Sequence, residues 1–201
     1  AACHSGSVPS TWVVGNSKTM TINGASYQVD IIGKNHDTYA SGGKAPLTFQ
    51  LHDCYGETKN MNSSNTNSGG WTSCAMRSTH LPAILALMPT EVQNGIREVN
   101  KLTSAGSQSA TINTTADKLF LLSEIEIFGS VSYSKSGEGT QYDYYKAGNS
   151  KGKKFNGGAY YWWERSPYGS DSTYFCIVGS NGSAIYDGAS FAHGVAFGFC
   201  F

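Results

Sequence analysis

Short runs in which apolar and polar residues alternate, separated by Gly, Asn and Ser, make up most of this chain. Met20-Thr21-Ile22 and Tyr27-Gln28-Val29-Asp30-Ile31-Ile32-Gly33 flank Asn23-Gly24, a tight-turn dipeptide, and predict an opening hairpin. Leu47-Thr48-Phe49-Gln50-Leu51 alternates and predicts a half-buried strand, while Leu119 to Leu122 is apolar enough for a central one. In the last forty-odd residues, Ala159 to Pro167 and Gly194 to Phe201 read as buried strands around a middle of Tyr, Ser, Gly, Asp, Asn and Ala. Phe175 and Ile177 alternate, as do Val195, Phe197 and Phe199, and predict the inward faces of two pairing strands.

Helical periodicity is confined to a few places. Ser78 to Met88 has polar capping residues and Pro82 in a tolerated first-turn position. Pro89 to Val99 restarts the pattern with Val92, Ile96 and Val99 at helical spacing, so a helix pair on one side of a sheet is expected. Ser123 with Glu124 and Glu126 fits the cap of a further short helix. Two polar stretches, 53–71 pinned by Trp71 and 130–157, read as long surface loops, and Ala1 to Ser10 as a flexible lead-in closed by Pro9. The pattern predicts an α+β domain over residues 11–201, with short antiparallel strands, two to three helices and long loops.

Composition narrows the function classes. Lys plus Arg and Asp plus Glu are equal at 14 each, and this balance without a basic cluster argues against nucleic acid as a partner. No apolar run is long enough for membrane insertion. A first residue other than Met, with no leader pattern, is the expectation for a piece of a larger chain or particle. The five cysteines fit neither a disulfide framework nor paired metal ligands; they read as free thiols or as one bridge, Cys54 to Cys74 or Cys176 to Cys200. The histidines lack metal-site spacing, and Asp171 with Asp187 cannot make a calcium cage, so no cofactor and no metal are expected.

The string Trp162-Trp163-Glu164-Arg165-Ser166-Pro167 is first a structural one. Successive strand residues face opposite ways, so at least one of Trp162 and Trp163 belongs to the core. Glu164 and Arg165 are suited to holding loops through charge-assisted hydrogen bonds, and Pro167 to a strand exit. Together with Gly182, the closing Gly194 to Cys200 and upstream Val29 to Gly33, Met61-Asn62, Gly70-Trp71, Met76-Arg77 and Asp117 to Ser123, the string resembles a large bacterial and phage family on a C-type-lectin-like fold. The resemblance covers nearly the whole chain. It implies the fold subset of formylglycine-generating enzymes and a ligand-binding role, and some members are the variable proteins of diversity-generating retroelements. Those display a randomised surface, so the implied partner is a protein or glycan on a bacterial cell surface and the implied location a phage tail or bacterial envelope. The alternatives are a formylglycine-type oxidase or a calcium-dependent lectin. The first needs closely paired reactive cysteines and the second Glu-Pro-Asn, Gln-Pro-Asp or Trp-Asn-Asp signatures, none of which occurs. Geometry allows a Cys200 and His193 dyad but nothing favours it, so no catalytic residue and no enzyme activity are expected.

One compositional feature bears on diversification. The 35 residues from Pro167 to Phe201 contain no Lys, Glu, Gln, Met or Trp, although residues 1–166 contain 31 of them. At uniform composition such an absence has a probability of roughly one in a thousand. These five are the residues that a pyrimidine-ending codon cannot encode, as expected if adenines of Asn codons were randomised. A Gly-rich, tightly turned segment is the competing explanation, and Leu and Arg are absent without being excluded by the codon rule. Region 160–201 is therefore the candidate variable region. Its candidate ligand-binding positions are Tyr168, Gly169, Ser170, Asp171, Ser172 and Tyr174, then Ser183, Ile185, Tyr186 and Asp187, then Ser190, Phe191 and His193.

Overall fold

The Asn23-Gly24 turn forms as expected, with both residues at positive φ (48° and 75°), and joins β1 (Ser17–Ile22) to β2 (Ala25–Lys34) in an antiparallel hairpin. The computed structural model describes residues 8–201; the expected flexible lead-in falls mostly on residues 1–7, outside the described residues. The hairpin opens a five-stranded antiparallel sheet in the order β1-β2-β3-β12-β6, where β3 is Leu47–Leu51, β6 Leu119–Phe120 and β12 Gly198–Cys200. A second sheet carries the tail, in the order β11-β10-β9, with β9 at Trp162–Pro167, β10 at Tyr174–Val178 and β11 at Ala184–Gly188. Two hairpins complete the strands: β4 (Val99–Ser104) with β5 (Ile112–Asp117), and β7 (Lys153–Phe155) with β8 (Gly158–Tyr160). The architecture is mixed α+β, mostly strands.

Several expected elements change. β3 is buried at every position, because Gln50 meets the Ala196 carbonyl at 3.0 Å and the Tyr145 hydroxyl at 2.6 Å, and Thr48 donates to Asp37 at 2.5 Å. Satisfied polar residues thus sit where alternation implied a wet face. β6 is a two-residue strand at the sheet edge, not a central strand. β10 and β12 lie in different sheets and do not pair, although Phe175, Ile177, Val195, Phe197 and Phe199 are all buried.

Among the described residues there are five short α-helices rather than two or three: α1 (Gly70–Ser73), α2 (Leu81–Ala86), α3 (Thr90–Gly95), α4 (Glu124–Phe128) and α5 (Asp143–Lys146). The expected helix over Ser78–Met88 begins as a π-helical turn, Met76–His80, that runs into α2. Its partner stops at Gly95: Ile96 is extended and Val99 opens β4, so the pairing of Val99 with Asp117 overrides the helical spacing. α4 has the expected capping box, Ser123 Oγ accepting from Glu126 N while Glu126 accepts from Ser123 N.

Neither polar stretch is merely a surface loop. Met61 and Asn67 are fully buried within 53–71, and 130–157 contains α5, docked by the buried rings of Tyr142 and Tyr145. The described cysteines, Cys54, Cys74, Cys176 and Cys200, are buried free thiols. No helix among the described residues is long and apolar enough to cross a membrane.

Candidate functional site

Strand β9 is the frame on which the tail is built. Both of its tryptophans are fully buried. Trp162 Nε1 donates to the Lys151 carbonyl at 2.9 Å and Trp163 Nε1 to the Lys59 carbonyl at 2.7 Å, so each ring ties a distant loop to the sheet. Arg165 is also fully buried and does what its type suggests. Its guanidinium meets Glu126 through two nitrogens at 2.5 and 3.0 Å and donates to the carbonyls of Leu121, Leu102 and Glu138. Glu126 in turn receives Lys101 at 2.7 Å, and Lys101 reaches Asp37 at 2.8 Å and the Tyr142 hydroxyl at 3.0 Å. Burial pushes the Asp37 carboxyl up, but Lys101, the Thr48 hydroxyl bond and His36 together more than offset this and hold it down at about 2.

Glu164 departs from the expected loop-holding role. It is fully buried and neither carboxylate oxygen has a hydrogen-bond partner among the described residues. Burial, with the carboxylates of Glu124 and Glu138 nearby, drives its pKa far up. Glu138 is pushed up to about 7, again mainly by burial.

Beyond Pro167 the chain enters the candidate surface. The loop from Tyr168 to Thr173 is clamped by Asn67, a buried residue that sequence reasoning missed. Asn67 Nδ2 donates to the carbonyls of Asp171 and Tyr174, each at 2.8 Å, and Asn67 N donates to the Ser172 carbonyl at 2.7 Å. Its Oδ1 accepts from Ser107 N at 2.8 Å, so both ends of the amide are used. Asp171 Oδ1 accepts from Thr173 N at 2.7 Å and Thr173 Oγ1 at 2.5 Å, and the Thr173 hydroxyl bond holds the carboxyl below the usual range. Gly169 is buried, not a surface contact. Its N–H donates to the Tyr133 carbonyl at 2.7 Å, and a Cβ there would stand 3.1 Å from both that oxygen and Lys135 Cε. Ser170 and Ser172 are exposed.

The register of β10 and β11 sorts the remaining positions onto two faces. Cys176 opposes Tyr186 and Tyr174 opposes Gly188, so Tyr174 and Tyr186 share one face, whereas Asp187 and Ile185 share the other with Phe175 and Ile177. On the first face four tyrosines meet. The rings of Tyr168 and Tyr186 stack at 4.2 Å with 5° between their planes. Tyr174 and Tyr133 approach Tyr186 at 5.3 and 5.1 Å. Proximity to Tyr168 raises the pKa of the Tyr186 hydroxyl, which keeps it a neutral donor.

On the second face Asp187 Oδ2 stands 2.8 Å from His193 Nε2, and the imidazole packs edge-on against Trp163 at 4.8 Å and tilted against Tyr161 at 5.8 Å. His193 Nδ1 is buried without a partner among the described residues. Phe191 projects nearby at 57% exposure, its ring over Gly188. Ser190 is exposed in the same segment, and Ser183 is exposed at the β10–β11 turn, where it donates to Asn181. A Cys200 and His193 dyad, allowed by spacing but not expected, is not assembled: His193 faces Asp187, whereas Cys200 Sγ lies 3.4 Å from Thr48 and 3.8 Å from Asp37, its pKa driven far up by burial.

Four cavities of about 210 to 770 Å³ open elsewhere, and none is lined by any of the thirteen candidate positions. Among the described residues no group of three or more His, Cys, Asp or Glu side chains is placed to hold a metal ion.

Fold and site together define an α+β domain whose buried, charge-paired frame carries a largely buried C-terminal sheet with a tyrosine cluster at its surface. The chain belongs to the family described as a domain of unknown function, DUF6273, whose model matches residues 36–197. No curated protein matches the chain. No solved structure matches it either.

Proposed function

We propose that this chain is a ligand-binding, receptor-recognition protein on a C-type-lectin-like fold, its C-terminal surface diversified by a retroelement and carried on a phage tail or bacterial envelope. The observation that supports this reading best is the separation along one stretch of chain. Between Pro167 and Phe201, residues with framework duties are buried, among them Phe175, Cys176, Ile177, Val195 and Phe197. Between them stand exposed or half-buried Tyr168, Ser170, Ser172, Tyr174, Ser183, Tyr186, Ser190 and Phe191. Side chains can change at the second set while the first keeps the backbone in place. The same stretch is the one whose composition fits pyrimidine-ending codons. The partner is a protein or glycan on a bacterial cell, met by a preorganised aromatic surface.

The oxidase alternative has less support. Its chemistry needs accessible thiolates, and burial drives Cys176 and Cys200 far up in pKa and Cys54 and Cys74 up to about 12. The encoding genome tests the proposal: beside the gene there should be a near-copy of the DNA for residues 160–201 differing almost only at adenines, with a reverse transcriptase gene adjacent. An intact locus with neither rejects diversification.

A further inference from the structure

The tyrosine face contains a ring that the tail does not supply. Tyr133 lies thirty-four residues before Pro167, yet its ring stands 5.1 Å from Tyr186 and 6.0 Å from Tyr168. Its loop is fixed at both ends of the contact. The buried Glu124 carboxylate accepts from the N–H groups of Ser132, Tyr133 and Ser134 at 2.8 to 3.1 Å and from the Ser134 hydroxyl at 2.7 Å. The Tyr133 carbonyl accepts from Gly169 N. A carboxylate holding three successive amides makes a rigid loop, so Tyr133 is presented preorganised beside the tail.

We propose, resting on the recognition reading above, that the binding surface is composite: Tyr168, Tyr174 and Tyr186 from the tail and a constant fourth ring, Tyr133, positioned by Glu124, together engage a folded protein. Shape and charge both point to that partner. The rings form a stacked cluster outside the four cavities, a geometry suited to a broad protein surface more than to a small molecule held in a pocket. The carboxyl of Asp171 is turned onto Thr173 and that of Asp187 lies on the opposite face with His193, while the stem of Lys135 packs over Gly169, the residue after Tyr168. The positive charge at the edge of the cluster fits a partner whose contact patch is neutral or acidic.

The test uses fluorescently labelled protein and a panel of fixed whole bacterial cells, each taken untreated, after proteinase K and after periodate. Tyr133→Ala is expected to lower adhesion to the bound strain about tenfold with little change in melting temperature, while Tyr133→Phe retains most of it. Proteinase K should remove adhesion and periodate leave it. Glu124→Gln should weaken adhesion and raise amide exchange at residues 132–134 specifically, a local change that general destabilisation would not produce. Adhesion unchanged by Tyr133→Ala but lost with Tyr186→Ala would confine the surface to the tail and overturn the composite site alone. Loss to periodate with survival of proteinase K would replace the protein partner by a glycan. Wild-type protein that adheres to no strain counts against the recognition reading itself.

Discussion

The two sides of strand β9 handle polarity in opposite ways. Toward the helices and β4, Arg165, Glu126, Lys101 and Asp37 are buried charges, each matched by partners within hydrogen-bond distance. Toward β11, Tyr168, Tyr174, Tyr186 and Tyr133 are neutral groups at the surface that touch chiefly one another. Removing one member of the first set leaves a buried charge uncompensated; removing one of the second leaves a patch of solvent. The fold can therefore tolerate change on one side only, which is the property a diversified surface needs.

The largest expected effect is on the charged side. Arg165→Met removes both bonds to Glu126 and the donors to three carbonyls, and should cost about 3 to 5 kcal/mol. Urea denaturation checks this, and a loss below about 1 kcal/mol would mean that water takes over these bonds. Next comes pH. Asp37, held at about 2 against an ordinary 3.8, contributes stability that is complete above 3.8 and lost as pH falls through about 2. Glu138, raised from 4.5 to about 7, acts in the reverse sense: the folded chain keeps a proton the unfolded chain has released, so stability falls as pH climbs from about 4.5 to about 7. The fall should be on the order of 3 kcal/mol. Glu138→Gln should lessen the slope of that limb in thermal melts taken from pH 4.5 to 8, Glu164 supplying the rest, and an unchanged slope would assign the whole of it to other groups.

Glu164, next to Arg165 on β9, is the exception among the buried charged residues, and it sharpens the comparison. Both its oxygens are buried and unmatched. Glu164→Leu should therefore stabilise the protein, by about 2 kcal/mol at neutral pH, because a buried carboxyl without a hydrogen-bond partner costs on that order. Destabilisation on calorimetry would show that the carboxyl is matched by buried water.

The sequence made local features legible and long-range ones opaque. The Asn23-Gly24 hairpin and the Ser123 capping box depend on neighbours within a few residues, so residue type and spacing reveal them. The helix past Gly95 was misread because Val99 obeys two periodicities and only its pairing with Asp117 decides between them. Asn67 looked like one more Asn in a polar loop; its clamp on residues 171–174 exists only after chain segments about a hundred residues apart have met. Tyr133 was invisible as a site residue for the same reason. Conversely, listing Tyr186 and Asp187 as one surface ignored strand alternation, which puts them on opposite faces.

The smallest expected effect is the most discriminating one. Tyr186 is 39% exposed and central to the tyrosine face, its ring stacked on Tyr168 and met by Tyr174 and Tyr133. Tyr186→Ala deletes those ring contacts at a position that is itself exposed. The stability cost should stay below about 1 kcal/mol. If chemical denaturation instead showed Tyr186→Ala to cost as much as Arg165→Met, the tyrosine cluster would be part of the frame. Sequence variation at Tyr186 would then be constrained by folding, and the division of the tail into constant interior and variable exterior would fail at its centre.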